Sequence, residues 1–306
     1  MSKKNRAKNG SKNRSKNGSK NRSKNGSKNR FKKRTTKKRK RYRSLKKFKK
    51  KVKKSISKTI KKIKEKILLD KRLKKKFNIK DVPLDSDTNK GTKASSDFID
   101  YHYQRLDNII NYLYKEFKNK NHNIYFFKSL EDSILEIEFN NQTVKPCYIG
   151  NDDFITNIRN SVNSRFVPLT LNSLLSNLSH ANVILIDNEL KNVEFFEPHG
   201  YKKDQSTLDG VSKAYNKKNK LIKLYFSEIL PDYKFINVND FFKKEGFQMK
   251  HDARHGYCVT WSLLYVHYRL LNPNTPVYIL IKYLYYHINL SKLLRYARYI
   301  EKVLKI

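Results

Sequence analysis

Only two cysteines, Cys147 and Cys258, occur in the 306 residues. That is too few for a disulfide framework, and with no secretory signal ahead of them they point to a reducing compartment. Long apolar runs are missing as well. The best candidate for a membrane span, residues 276–290, is interrupted by Lys282, His287 and Asn289. It falls short of the roughly 18 uninterrupted apolar residues that a bilayer requires, so a soluble protein is expected. Acids are nearly absent from the first 80 positions, which carry 39 Lys and Arg against Glu65 and Asp70 and so hold 37 of the net charge of +42. This excludes a uniformly basic globule and implies a polycationic arm joined to a near-neutral body.

The start of that arm also has almost no apolar residues. From Asn5 to Arg30 a four-residue unit repeats, Ser-Lys-Asn followed alternately by Gly or Arg. Nothing in it offsets the entropy of ordering the chain, so residues 1–44 are expected to be disordered and extended by self-repulsion. The run FKKRTTKKRKRYR at 31–43 has the charge density of a nuclear-localisation or nucleic-acid patch. From Leu45 the pattern changes: Leu45, Phe48, Val52, Ile56, Ile60, Ile63 and Ile67 recur three or four apart among lysines. That spacing predicts a basic amphipathic helix within residues 45–80. It leaves open whether the stripe docks on the body, pairs with a partner helix, lies on an anionic membrane or stays solvated until something binds. Residues 81–97, with Val-Pro-Leu, Asp-Ser-Asp and Lys-Gly-Thr, read as a linker.

Residues 98–306 have the composition of one folded domain. Apolar periodicity predicts helices over Phe98–Phe117, Asp152–Val162 and Val211–Leu230, and helical structure after Cys258. Strands are expected at Ile124–Phe127, Ile134–Phe139, Arg165–Leu171, Asn182–Asp187, Val193–Glu197 and Tyr233–Val238. Helices and strands mix without strict alternation, which gives an α+β class. Both faces of Val183–Ile186 are apolar, as in a central strand covered on both sides.

Chemistry concentrates in Gly246–Pro273, GFQMKHDARHGYCVTWSLLYVHYRLLNP. Val259, Leu263, Val266 and Leu270 place Cys258 at the first turn of an apolar helix that Asn272-Pro273 ends. There the unsatisfied N–H groups and the helix dipole favour thiolate over thiol. A lone cysteine on such a helix is more often inert core, so partners must decide. His180 and Glu197 supply them if a two-residue turn between Asn188 and Glu189 sets His180 opposite Glu197, near enough for a hydrogen bond. Cys258 as nucleophile, His180 as base and Glu197 as orienting acid then make a triad, with Gln248 and the Cys258 N–H as oxyanion donors. A zinc cluster of His251, Asp252, His255 and Cys258 is the competing arrangement, but it would leave His180 and Glu197 without a purpose. Asp187 is a rival acid placed too near the turn. His199 reads as a turn residue, Cys147 as structural and Trp261 as core packing.

His180, the strand after it, FFEPHG at 195–200, GFQ at 246–248 and GYCVTW at 256–261 occur in an order that closely resembles the adenain clan. That clan includes the adenovirus endopeptidase, the SUMO-specific proteases and, most similar here, the cysteine proteases of large DNA viruses. SRFVPLTL at 164–171 resembles the strand before the clan's catalytic histidine. Two features depart from the pattern: Ala181 follows His180 where the clan usually has Trp, and the span from Gln248 to Cys258 is longer. The resemblance covers residues 164–273 and implies a papain-like, adenain-like fold with a central mixed sheet and the nucleophile at a helix N-terminus. In it His180, Glu197, Gln248 and Cys258 are the catalytic set, with no cofactor and no metal. It further implies viral core or capsid precursors as protein substrates, cut near Gly-Gly, in the virion or the host cytoplasm. Nucleic acid is the expected partner of residues 1–80, and nuclear entry is compatible with them. Two other readings stay open: a nucleic-acid-binding virion protein with an inert protease fold, and an isopeptidase acting on SUMO-like or ubiquitin-like modifiers.

Overall fold

The computed structural model describes residues 47–59, 68, 71–86, 107–118, 123–129, 131–138, 142–175, 178–200, 209–241, 246–251 and 257–304. It divides into two units, residues 1–65 and residues 66–306. Within the first, residues 47–59 are helical. Phe48, Val52 and Ile56 are exposed on it at intervals of four, the stripe expected of the amphipathic pattern. Leu45, Ile60, Ile63 and Ile67 lie outside the described residues.

The second unit is built on a six-stranded mixed sheet of order β2-β1-β3-β4-β5-β6. The strands are β1 Ile134–Glu138, β2 Thr143–Pro146, β3 Phe166–Leu175, β4 Leu178–Asp187, β5 Asn192–Phe196 and β6 Lys234–Asn237. β1/β3 and β5/β6 are parallel and the other pairs antiparallel. β4 is interior, as its two apolar faces require. Ala181, Val183 and Leu185 point into a core shared with the helices Asp107–Phe117, Cys258–Leu271, Val277–His287 and Leu290–Leu304. Ile184 and Ile186 point into a second core under the helices Asn151–Asn160 and Asp209–Ile229. The fold is α+β with helices on both faces of a central sheet.

Three sequence expectations need correction. The expected strand at 124–127 is reduced to a single bridge between Ile124 and Phe166. The β4–β5 register is two residues away from the one expected, because Asp187 pairs with Asn192 and Val183 with Phe196. Four residues, not two, make the turn: Asp187 Oδ1 accepts the Leu190 N–H at 3.1 Å, and Lys191 adopts a left-handed φ of 49°. Thirdly, the stretch expected to be a linker from residue 81 begins inside the core. The helix at 71–77 ends at Asn78, with φ 47°, and Ile79 and Val82 are then buried. The Asn272 side chain accepts the Lys80 N–H at 2.6 Å and donates to the Lys80 carbonyl at 2.9 Å. Tyr283 and Tyr268 donate to Asp81 Oδ1 at 2.6 and 3.2 Å. Residues 98–106 of the expected helix and 87–97 of the expected linker lie outside the described residues.

The Cys258–Leu271 helix is buried along almost its whole length. It carries more than the apolar stripe seen in the sequence, because it runs between the sheet and the other helices of its layer. Its polar side chains are consequently paired. Arg269 grips Glu194 with two bonds, Nε to Oε2 at 2.8 Å and Nη2 to Oε1 at 2.9 Å, and reaches Asp187 at 3.4 Å. Tyr265 donates to the same Glu194 at 2.5 Å. This wholly buried cluster ties the helix to the end of β4 and the middle of β5. It also accounts for Asp187, the rival carboxylate.

Candidate active site

Cys258 is the first residue of its helix and is 1% exposed. Its thiol is among the groups that act on His180, which sits near the start of β4. His180 Nε2 meets Glu197 Oε1, so Nδ1 is the ring nitrogen left for the thiol. With the observed register, Glu197 follows the end of β5 opposite Asn182, and it reaches His180 diagonally across the strand pair instead of directly. Residues 180, 182 and 197 share one face of the sheet, which is why the contact survives a register different from the expected one.

Glu197 is fully buried and accepts three donors. Besides His180, the backbone N–H of His199 donates to Oε1 at 3.1 Å, and Lys218 Nζ pairs with Oε2. Burial favours the neutral acid, yet the charges and hydrogen bonds of His180 and Lys218 hold its carboxyl well below the usual range. For His180, burial works against protonation, but Glu197 and the Cys258 contact outweigh it and raise the imidazole to about 9. His199 stands edge-on to His180, with ring centroids 5.8 Å apart. Burial first, and then the charge on His180, push its own pKa down, so the neighbouring ring stays neutral.

Gln248 lies in a short helix, Phe247–His251. Two glycines set its position. Gly200 has φ 67°, and a Cβ there would stand 2.2 Å from Gly246 Cα; one on Gly246 would stand 2.5 Å from both Gly200 Cα and the His199 carbonyl. The backbones can cross this closely only because both residues are glycine. The crossing brings Gln248 N–H to the Pro198 carbonyl at 2.9 Å, one residue from Glu197. Phe247 then packs on Trp261 of the cysteine helix, with centroids 5.0 Å apart. The Gln248 side chain is buried, and its Oε1 meets no hydrogen-bond partner among the described residues.

All four residues expected from the sequence are therefore positioned around the Pro198 turn and the cysteine helix. Trp261 is buried core, as expected. Cys147 is half-buried beyond the end of β2, where burial and Glu136 push its thiol up to about 11. Of the alternative zinc set, His251 stacks on Trp261, and Asp252 and His255 lie outside the described residues. No group of three potential metal ligands occurs among the described residues. Lys218 was missed by the sequence reading. The signal was there: it occupies the same helical stripe as Ile222 and Phe226, four and eight residues on, where a lysine must find a counter-charge.

No family model matches the chain. A 121-residue alignment, 35% of this chain, is 26% identical to ankyrin repeat protein L371 of Acanthamoeba polyphaga mimivirus and spans 16% of that protein's length. Among solved structures, the chain is similar to the Chlamydia trachomatis effector Cdu1 bound to ubiquitin, at 12% identity and a TM-score of 0.37, over 66% of this chain and 93% of that one. ChlaDub1 of Chlamydia trachomatis follows at 10% identity and a TM-score of 0.35, over 65% and 89%.

Proposed function

We propose that this chain is a papain-like cysteine peptidase that cleaves peptide or isopeptide bonds of protein substrates through Cys258. The observation that carries the reading is His180 held by a buried, ionised Glu197 and acted on by a thiol at a helix start. A structural cysteine has no use for an imidazole that is itself gripped by a carboxylate.

In this reading the His180 proton is kept on the ring by Glu197, and the thiolate is supported by the first turn of the Cys258–Leu271 helix. The sulfur attacks the scissile carbonyl. The oxyanion that develops is met by the Cys258 backbone N–H and the Gln248 side-chain amide, groups of the type that stabilise such charge in preorganised sites. His180 gives its proton to the leaving amine, and a thioester remains. The neutral ring then draws a proton from water, the hydroxide attacks the thioester, and the carboxylic acid and Cys258 are released.

The order of His180, FFEPHG, GFQ and GYCVTW supports a viral precursor as substrate, cut beside Gly-Gly in the virion or host cytoplasm. The 39 basic residues among the first 80 support nucleic acid as a second partner, held by charge. The test is turnover of Gly-Gly-x peptide amides alongside ubiquitin and SUMO C-terminal fusions, with a thiol-reactive peptide probe. Wild type is expected to cleave and to be labelled at Cys258. Cys258→Ala is expected to lose both at unchanged circular dichroism. Full turnover by Cys258→Ala, or a wild-type cysteine that the probe never labels, sinks the proposal in favour of an inert fold on a nucleic-acid-binding protein. Preference for a fusion over the peptides redirects it to deconjugation.

A further inference from the structure

We propose that Lys218 is a positioning residue of the site, which shares the charge of Glu197 so that His180 can release its proton to the leaving group. The inference rests on the cysteine-peptidase reading above and adds a member from outside the run of motifs.

The geometry is specific. Lys218 comes from the Asp209–Ile229 helix, on the face of the sheet away from the cysteine helix. It is 1% exposed, and its Nζ meets Glu197 Oε2 and, at 3.3 Å, Asn182 Oδ1. Asn182 is itself fixed by donating to the Leu171 carbonyl at 3.3 Å and to Ser173 Oγ at 3.2 Å on β3. The groups facing Glu197 are thus His180 from β4, Lys218 from the helix, and the His199 N–H and ring from its own turn, with Asn182 a second partner of Lys218. One carboxylate oxygen serves the imidazole and the other serves the ammonium.

Stability alone does not ask for this arrangement. A buried ion pair seldom gains over a hydrophobic one, since both charges must leave water. The ammonium does, however, alter what Glu197 does to His180. A buried carboxylate facing imidazole alone exerts its full charge on the ring and holds the proton tightly. In acylation of an amide the C–S bond forms, the C–N bond breaks, and the nitrogen must take the His180 proton. A 4-nitrophenyl ester forms the same C–S bond, but its leaving group departs as the phenolate and needs no proton. Lys218 therefore matters for amides and hardly at all for activated esters.

The experiment compares kcat/KM for an amide and a 4-nitrophenyl ester of the same Gly-Gly peptide. Lys218→Met is expected to lower amide turnover by about tenfold or more and ester turnover by less than about threefold, the loss falling on general-acid assistance. Equal losses on both substrates, or no loss, overturn the inference. Because Lys218→Met leaves Glu197 with one cation fewer, the neutral pair Lys218→Met/Glu197→Gln is measured against Glu197→Gln. If Lys218 works through Glu197, adding Lys218→Met leaves the amide-to-ester ratio of the Glu197→Gln protein unchanged. A further change in that ratio also overturns it. Wild type that turns over neither substrate removes the peptidase reading and the inference together. Wild-type turnover with an unchanged ratio in Lys218→Met removes the inference alone.

Discussion

His180 and Glu197 carry opposite shifts, and the two act on stability in opposite pH windows. The imidazole is raised from 6.5 to about 9, so its contribution is fully present below about pH 6.5 and is lost as the pH rises through 9. Glu197 is depressed from 4.5, so its contribution is present above that value and is lost only as the pH falls well below it. His180→Gln is therefore expected to flatten the fall in thermal midpoint between pH 6.5 and 9, read by calorimetry at unit intervals. A slope unchanged by the substitution would show that another group carries it. Turnover should decline through the same alkaline window as His180 loses its proton. Residue chemistry of this kind was legible in the sequence only for side chains that sit in recognisable strings. Cys258, His180, Glu197 and Gln248 do so; Lys218 joins from a helix with no such string, and its partner could be named only once the helix had been laid across the sheet.

Strands and turns were harder to read than the residues on them. The alternating and doubly apolar runs gave β1 and β5 within a residue of their observed bounds and the end of β4, whose start lies four residues earlier than expected, because burial on a pleated sheet leaves a period of two. The β4–β5 register depended instead on the turn, and the left-handed Lys191 with the Asp187 cap makes a four-residue loop that neither the apolar pattern nor the dipeptide at its centre announces. The expected His180–Glu197 contact is present because a two-residue shift keeps every side chain on its face. The PHG turn is the second device of this size. Gly200→Ala places a Cβ against Gly246 in a left-handed conformation and should cost about 1–3 kcal/mol. It should also carry Gln248 away from the Pro198 carbonyl. Urea denaturation reads the first effect and a fall in kcat at constant thiol labelling reads the second; a variant with unaltered kcat would separate the glycine crossing from catalysis.

The boundary between arm and body bears on how the protein can be divided. A cut after residue 80 looks natural from composition, yet it removes the helix at 71–77 and the Ile79 and Lys80 contacts that pack on the C-terminal helices. Deletion of residues 1–65 is expected to keep the thermal midpoint and peptide cleavage while abolishing salt-sensitive binding to duplex DNA. Deletion of 1–80 should lower the midpoint as well. Binding measured by fluorescence anisotropy at two salt concentrations, beside a melting curve for each truncation, checks both; retained DNA binding without residues 1–65 would contradict the division. Composition missed the boundary because charge marks where solvent is tolerated, not where burial begins, and Ile79 and Val82 are too short a run to register. The burial of the cysteine helix on every side also governs when a growing chain can close its core. The His180–Glu197 hairpin leaves the ribosome first. Gln248 and Cys258 follow, the cysteine on a helix whose apolar side chains stay uncovered until Val277–His287 and Leu290–Leu304 emerge. A nascent chain thus leaves that apolar surface uncovered until these two helices are made, and through that interval it is most in need of a chaperone.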